Sequence, residues 1–191
     1  QGDMNELPLT GQWAAICLLA HELMLWSSSD RRCLFDVFRL PAAWRPYMVF
    51  REMVPGNLVG LSSAAPVHVC STTNAMGWIS AVGVSQHLHR NMLRISERRT
   101  KELHCVAEWR RRRSAPLSGM QADFAAWLVY IDNLEVQEIL PAVEAKSLQG
   151  SVAEFIKQAR ENYLVWGSEG ADDKDVLRVF DVQVLGERVD G

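Results

Sequence analysis

The sequence predicts an α+β fold: an antiparallel sheet of the split βαβ, ferredoxin-like kind, with helices on one of its faces. Three observations lead there. Runs of β-favouring residues alternate with stripes at helical spacing, in the order helix, strand, hairpin, helix, strand hairpin, helix, strand pair. At 191 residues and 48% hydrophobic content, the chain can bury one real core and is short for two. No internal repeat or low-complexity tract is present.

The elements follow in chain order. After a Leu-Pro-Leu lead-in, Trp13, Ile16, Cys17, Ala20, Leu23 and Met24 share one face of a helix over 12–26. SSSDRRCLFDVFRLP carries Phe35, Val37 and Phe38 up to Pro41 and predicts a strand after Ser29. AAWRPYMVFREMVPGNLVGL supplies a second strand ending at a Pro-Gly turn, and PVHVCST, 66–72, pairs back onto it. Beyond Gly77 the period lengthens, and Ala81, Val84, Leu88, Met92 and Ile95 predict a helix over 78–95. A basic stretch over 96–122 follows, too long for a bare connector and read as a loop insertion.

WLVYIDNLEV, 127–136, reads as a strand, a tight turn at Asp132-Asn133 and a short returning strand. Asp and Asn tolerate the positive φ that such turns require. Ser151 to Glu154 has the S-x-x-E form of a capping box, and Val152, Phe155, Ile156, Ala159 and Tyr163 make the stripe of a further helix. Gly167, Gly170 and Asp172-Asp173 end it, and VLRVFDVQVLGERVDG closes with two short β runs around Leu185-Gly186. In this topology the strand after Ser29 and the strand before Asp132 lie side by side at the sheet centre. Asp30 and Asp132 then meet.

Charge is uneven along the chain. The net charge of −3 gives the whole protein no general attraction for polyanions. Yet nine of the twenty Lys and Arg residues lie between Arg90 and Arg113, beside only Glu97, Glu102 and Glu108, so this segment nets +6 and the remainder −9. Its peak, WRRRRSAPL, makes Arg110, Arg111, Arg112 and Arg113 candidates for contact with a nucleic-acid backbone, against the plainer reading of a solvated loop.

No stretch reaches the roughly 20 apolar residues of a membrane helix, and QGDMNELPL lacks the basic and apolar regions of a signal peptide. The expectation is one soluble intracellular domain, in cytoplasm or nucleus, without a membrane partner. A first residue other than Met reads as a fragment of a longer chain. Cys17, Cys33, Cys70 and Cys105 are irregularly spaced, which argues against a metal knuckle or disulfide framework and for reduced, packed thiols.

Two carboxylates held together repel unless a cation or a shared proton compensates. Hard oxygen ligands of that kind suit Mg²⁺, and a pair of such ions clamps the attacking and leaving oxygens of an in-line phosphoryl transfer. In order and local wording, the chain resembles the palm of a reverse transcriptase of the retroviral and retrotransposon type. DRRCLFDVFRLPAAWRPYMVF is similar to that family's first palm motif: an Asp, an aromatic five residues on, Arg-Leu, and a Pro before an aromatic-rich strand. NAMGWISAVGVSQHLHR is similar to the second, in which a Gln or Met and a Gly precede an aromatic and open a helix. YIDN resembles the YxDD turn of the third. LQGSVAEF, Lys174 and VLGERVDG resemble the next helix, its lysine, and the Leu-Gly turn that positions the primer end.

The resemblance spans roughly 26–191 with its motifs in order. It implies a polymerase palm over 30–191, with 1–29 as the end of a fingers segment and its connecting helix. The implied activity is RNA-directed DNA synthesis: a primer 3′-hydroxyl attacks the α-phosphate of a dNTP on an RNA or DNA template, with two Mg²⁺ ions. Asp30, Asp132 and Asn133 would be catalytic, with Asp30, Asp132 and the Arg31 carbonyl as metal ligands. Phe35 would lie beneath the deoxyribose, Met76 and Gly77 against the incoming nucleotide and template base, and Lys174 near the pyrophosphate. Tyr130, Leu185 and Gly186 would position the primer. The fingers segment that grips the triphosphate, and the thumb, are expected from further regions of a longer polyprotein.

The chain departs from the family's pattern at Asn133, which replaces the second Asp of the turn. Serines precede Asp30 where apolar residues are usual, Asp36 stands where an apolar residue is expected, and Asn74-Ala75 replaces Leu-Pro. These mark either a divergent active lineage or a degenerate, non-catalytic domain that still binds nucleic acid, the alternative function. A structural α+β domain with surface acids is the third. His87 and His89 fall on different faces of one helix, and His21-Glu22, His68 with Cys70, and His104-Cys105 lack partners for a zinc site. Trp44, Trp78, Trp109, Trp127 and Trp166 could stack bases, with packing the better expectation for most of them.

Overall fold

Met24, Leu25 and Trp26 are buried consecutively in a strand rather than along one face of a helix: β1 runs Glu22–Asp30. A continuous apolar run of this length fits a strand buried on both faces as well as a helix segment, and only the pairing partners decide. The structure, a computed structural model, describes residues 7–8, 16–100, 106–108, 124–145, 151–171, 173–184 and 187–190. β1 thus runs through the boundary expected at 29/30. Phe35 and Val37 are not strand either. After Asp30 the backbone turns into a single helical turn, α1, Leu34–Val37, which Cys33 opens in the left-handed conformation at φ 48°.

A 3-10 stretch, Ala42–Tyr47, leads to a separate two-stranded hairpin of β2, Val49–Pro55, and β3, Pro66–Cys70. The expected pairing of these two segments is present. Helix α2, Ala81–Thr100, covers the predicted helical stripe and continues through the start of the expected loop insertion. Strand β4, Val106–Glu108, takes a further part of it. Then come β5, Phe124–Tyr130, and β6, Asn133–Pro141, joined as a tight hairpin, and α3, Ser151–Val165, beginning at the capping-box serine. Three short strands close the chain: β7, Val176–Val179, β8, Asp181–Val184, and β9, Glu187–Asp190.

Five strands form the main sheet in the order β4-β5-β6-β1-β7, antiparallel except for the parallel β4-β5 pair. The neighbour of β1 is thus β6, the strand after Asp132, and not β5 before it. A tight hairpin places its two strands next to each other, so β1 can pair with only one of them. Register from Glu22↔Pro141 to Asp30↔Asn133 brings the end of β1 level with the β5-β6 turn.

Residues alternate between the two faces of a strand. One face carries Ala125, Trp127, Val129, Leu134 and Val136, packed against Met92 and Leu93 of α2 and Val152, Phe155, Ala159 and Tyr163 of α3. Trp127 stacks on Phe155 at 5.8 Å between ring centroids. The other face carries Met24, Trp26, Ala126, Leu128 and Ile139, packed with Val184 of β8. Both long helices share one face, and Asp30, in phase with Trp26, faces away from them. The fold is α+β, as expected. No helix among the described residues is long and apolar enough to cross a membrane.

Candidate functional site

The β5-β6 turn consists of Ile131 and Asp132, one residue earlier than the sequence predicts, with Tyr130 and Asn133 paired across it. Its strained position is Ile131 at φ 57°, not the Asp or the Asn. A β-branched residue in the left-handed region costs on the order of 1–3 kcal/mol and persists only where its surroundings over-determine it. Helix α2 supplies that constraint. The Ile131 amide donates to Gln86 Oε1 at 2.7 Å, and Gln86 Nε2 donates to the Val129 carbonyl at 2.7 Å. His89 Nδ1 lies 2.7 Å from the Ile131 carbonyl. A carbonyl only accepts, so Nδ1 carries the proton and Nε2 accepts from the Tyr163 hydroxyl at 2.6 Å. Burial holds the His89 pKa down at about 4, so the ring is neutral.

The end of β1 is fixed as tightly. The Arg31 amide donates to the Asp132 carbonyl at 3.0 Å, which joins the two acid-bearing segments directly. Its guanidinium is buried over the Tyr163 ring, 4.3 Å from the centroid, donates to Ser29 Oγ, and lies 3.9 Å from Asp175. On the other side, the Ala171 amide donates to the Asp30 carbonyl at 3.0 Å and the Arg32 amide to the Glu169 carbonyl at 2.9 Å. This alignment of 169–171 along β1 carries Lys174 to Asp30, where its Nζ donates to Oδ2 at 2.6 Å. Asp175 accepts the Asp30 amide at 3.3 Å and pairs with Arg160 at 3.3 Å.

Asp30, Arg31, Asp132, Asn133 and Lys174 therefore stand together at one end of the sheet. Burial, together with the Asp30 charge, pushes the Asp132 carboxyl above the usual range, while its own backbone and Lys174 pull it down. The Asp30 carboxylate in turn holds the Lys174 ammonium above its ordinary pKa. Two half-buried carboxylates compensated by an ammonium are a donor set of hard oxygens with a demand for positive charge, and such a set fits Mg²⁺. Among the described residues, no group of three or more His, Cys, Asp or Glu side chains is placed to hold a metal ion.

Sequence reasoning missed Glu135. It lies on the same sheet face as Asp30 and Asn133, is 4% exposed, and accepts from Trp26 Nε1 at 2.5 Å. Burial, and behind it the Asp30 charge, pushes its carboxyl up to about 8. The signal was the alternation in LEVQEIL, where Leu134 and Val136 face the helices and Glu135 and Gln137 the other side. Asp175 and Gln86 carried no such signal, since both act on backbone far away in sequence.

The other predicted residues take these places. Phe35 is half-buried on α1, Tyr130 half-buried at the end of β5, and Met76 80% exposed beside Gly77, whose φ of 93° suits glycine. Leu185, Gly186 and Arg110, Arg111, Arg112 and Arg113 lie outside the described residues, as do Trp109 and Cys105. The departing residues have local partners. Ser27 Oγ accepts the Arg178 amide at 3.0 Å, Asp36 accepts the Thr73 hydroxyl at 3.2 Å, and buried Asn74 donates to the Ala81 carbonyl at 3.1 Å and Ser85 Oγ at 2.9 Å.

His87 is exposed and His89 buried and hydrogen-bonded, on different faces as expected. The packed-thiol expectation is corrected: Cys17, ahead of β1, and Cys33, in the turn before α1, are exposed, and Cys70, on the separate β2-β3 hairpin, is intermediate. Trp127 is core, Trp44 and Trp78 meet edge to face at 5.6 Å, and Trp166 is half exposed. No family of proteins matches the sequence, and no curated protein matches it either.

Proposed function

We propose that this chain is the palm of an RNA-directed DNA polymerase, of the retrotransposon reverse-transcriptase type, transferring a nucleotidyl group from a dNTP to a primer 3′-hydroxyl. The observation that supports this reading is the convergence of Asp30 and Asp132 on one end of the sheet, joined through the Arg31 amide and compensated by Lys174. In this reading Asp30 and Asp132 hold Mg²⁺, with the Arg31 carbonyl as a further oxygen, and the metal supplies Lewis-acid stabilisation of the charge on the transferring phosphoryl group. The new bond joins the primer 3′-oxygen to the α-phosphorus, the α–β phosphoanhydride bond breaks, and pyrophosphate leaves.

The chain's own residues do the rest. Asp132 sits on a turn that α2 holds rigid, so its carboxylate is placed before substrate arrives. Lys174 is largely exposed and ends in an ammonium, suited to the charge of the departing pyrophosphate. Phe35, on α1 five residues past Asp30, is the steric filter against a 2′-hydroxyl in this reading, and Met76 and Gly77 border the nucleotide. Template, primer and dNTP are the partners.

Primer extension on an RNA template tests the proposal, with the adjoining fingers and thumb segments supplied and with Asp132→Ala and Asn133→Asp compared. The expected result is Mg²⁺-dependent extension by the chain, lost in Asp132→Ala and kept in Asn133→Asp. A second reading, a degenerate palm that binds nucleic acid without extending it, is favoured by Asn133 and by the Lys174 ammonium on Asp30. Extension by Asn133→Asp alone would establish that second reading, and no extension by any of the three sinks the catalytic one.

A further inference from the structure

The turn that carries Asp132 and the strand that carries Asp30 are connected twice. One connection is direct, from the Arg31 amide to the Asp132 carbonyl at 3.0 Å. The other runs through the helices: Ile131 carbonyl to His89 Nδ1 at 2.7 Å, His89 Nε2 to the Tyr163 hydroxyl at 2.6 Å, and the Tyr163 ring beneath the Arg31 guanidinium at 4.3 Å. His89 is 0%, Tyr163 1% and Arg31 5% exposed, so the side chains of this circuit are shielded from water. The circuit closes on itself, because Arg31 touches both its ends.

The Tyr163 hydroxyl has a distinct task in this circuit. A neutral imidazole exists in two tautomers, and only the one protonated at Nδ1 can donate to the Ile131 carbonyl. The carbonyl, which only accepts, selects that tautomer, and the hydroxyl, which can donate or accept, donates to Nε2 and holds the ring in place. It thereby secures the bond that holds Ile131 at its strained φ of 57° and Asp132 next to it.

We propose that His89 and Tyr163 are positioning residues that set the placement of Asp132 relative to Asp30, with Tyr163 acting by holding the His89 ring through its Nε2. The inference rests on the nucleotidyl-transfer reading for its metal, and it concerns residues that touch neither substrate nor metal. Partners that orient metal ligands from behind typically change metal affinity or activity roughly 10–100-fold when removed.

The test measures Mn²⁺ binding by electron paramagnetic resonance on the full chain, without nucleotide. Nitrogen NMR of His89 and exchange of the Ile131 amide accompany it. Tyr163→Phe keeps the ring under Arg31 and removes only the hydroxyl. It is expected to weaken Mn²⁺ binding about tenfold, shift the His89 Nε2 resonance, and speed Ile131 amide exchange. His89→Gln supplies an amide donor but removes the ring that the hydroxyl holds, so Tyr163→Phe costs nothing further in that background. A purely structural hydroxyl would cost the same in both. Should Mn²⁺ bind through Asp30 and Asp132 equally tightly in wild type and Tyr163→Phe, the positioning role falls and the polymerase reading stands. Absence of Mn²⁺ binding by the wild type ends both. If Tyr163→Phe does not fold, the His89 tautomer of the wild type decides: an Nε2-protonated ring overturns the proposal and an Nδ1-protonated ring upholds it.

Discussion

Lys174 Nζ lies 2.6 Å from Asp30 Oδ2, so a cation of the chain's own already stands beside the first acid. It is mostly exposed on a flexible stem, whereas Asp30 is held at its backbone by Ala171 and Asp175. The carboxylate is therefore the fixed partner and the ammonium the movable one.

Replacing Lys174 with Ala separates its two electrostatic effects. The ammonium lowers the Asp132 pKa against burial and the Asp30 charge, which raise it. In Lys174→Ala the Asp132 carboxyl should titrate at higher pH, and Mn²⁺ should bind more tightly because it no longer competes with an ammonium at Asp30. Carbon NMR of the Asp132 carboxyl and a Mn²⁺ titration check this. An unmoved Asp132 titration would show that Lys174 does not serve the pair.

Asn133 stands directly opposite Asp30 in the β1-β6 register, with both side chains on the face away from the helices. Like charges at such positions destabilise a sheet by roughly 0.2–1 kcal/mol. Asn133→Asp should therefore lower the urea midpoint in the absence of divalent cation, and millimolar Mg²⁺ should raise it by more than it raises the wild type. Equal Mg²⁺ effects in the two proteins would show that position 133 lies outside the cation's reach.

What could be read from the sequence was what local pattern determines. The stripes of α2 and α3, the β2-β3 pairing and, to within one residue, the tight β5-β6 turn all lie in the periodicity and turn chemistry of contiguous residues. Met24, Leu25 and Trp26 could not be assigned, because an apolar run buried on both faces has no period until its neighbours β6 and β7 exist. Phe35 and Val37 followed β propensity, which the backbone overrode at Cys33 by turning left-handed. Asp30 and Asp132 were found as types at a spacing. Gln86, His89 and Asp175, which hold their backbone, act across 42 to 145 positions and leave no trace in any local window.

Gln86 makes two hydrogen bonds to the turn from one buried amide, donating to the Val129 carbonyl and accepting from the Ile131 amide. Met has similar length and no such groups, so Gln86→Met fills the space and leaves both backbone groups without this partner. Each buried unsatisfied group costs about 1–3 kcal/mol. The expected loss is therefore about 2–6 kcal/mol in urea unfolding, with the turn losing protection first. Gln86→Glu retains the acceptor for Ile131 and should cost less at low pH, where its carboxyl is protonated and can also donate. A loss under about 0.5 kcal/mol in Gln86→Met, the size of an ordinary surface substitution, would mean that β5 and β6 hold Ile131 in its conformation unaided.

Glu135 gives the protein a stability that depends on pH in the opposite sense from an ion-paired carboxylate. Its carboxyl titrates at about 8 in the folded protein against an ordinary 4.5, chiefly because burial disfavours the charged form. Between these values the folded state holds a proton that the unfolded state has released, so stability falls as pH rises through the window and levels off above it. At roughly 1.4 kcal/mol per pKa unit, the upper bound on the change is on the order of 4–5 kcal/mol, and water penetration reduces it. Glu135→Gln keeps an acceptor for Trp26 Nε1 and removes the titration. The variant should match the wild type near pH 5 and exceed it at pH 8.5, with urea midpoints measured at both. Parallel pH profiles for the two proteins would mean that Glu135 is charged in the folded state, and that the face of the sheet bearing Asp30 is wetter than its burial implies.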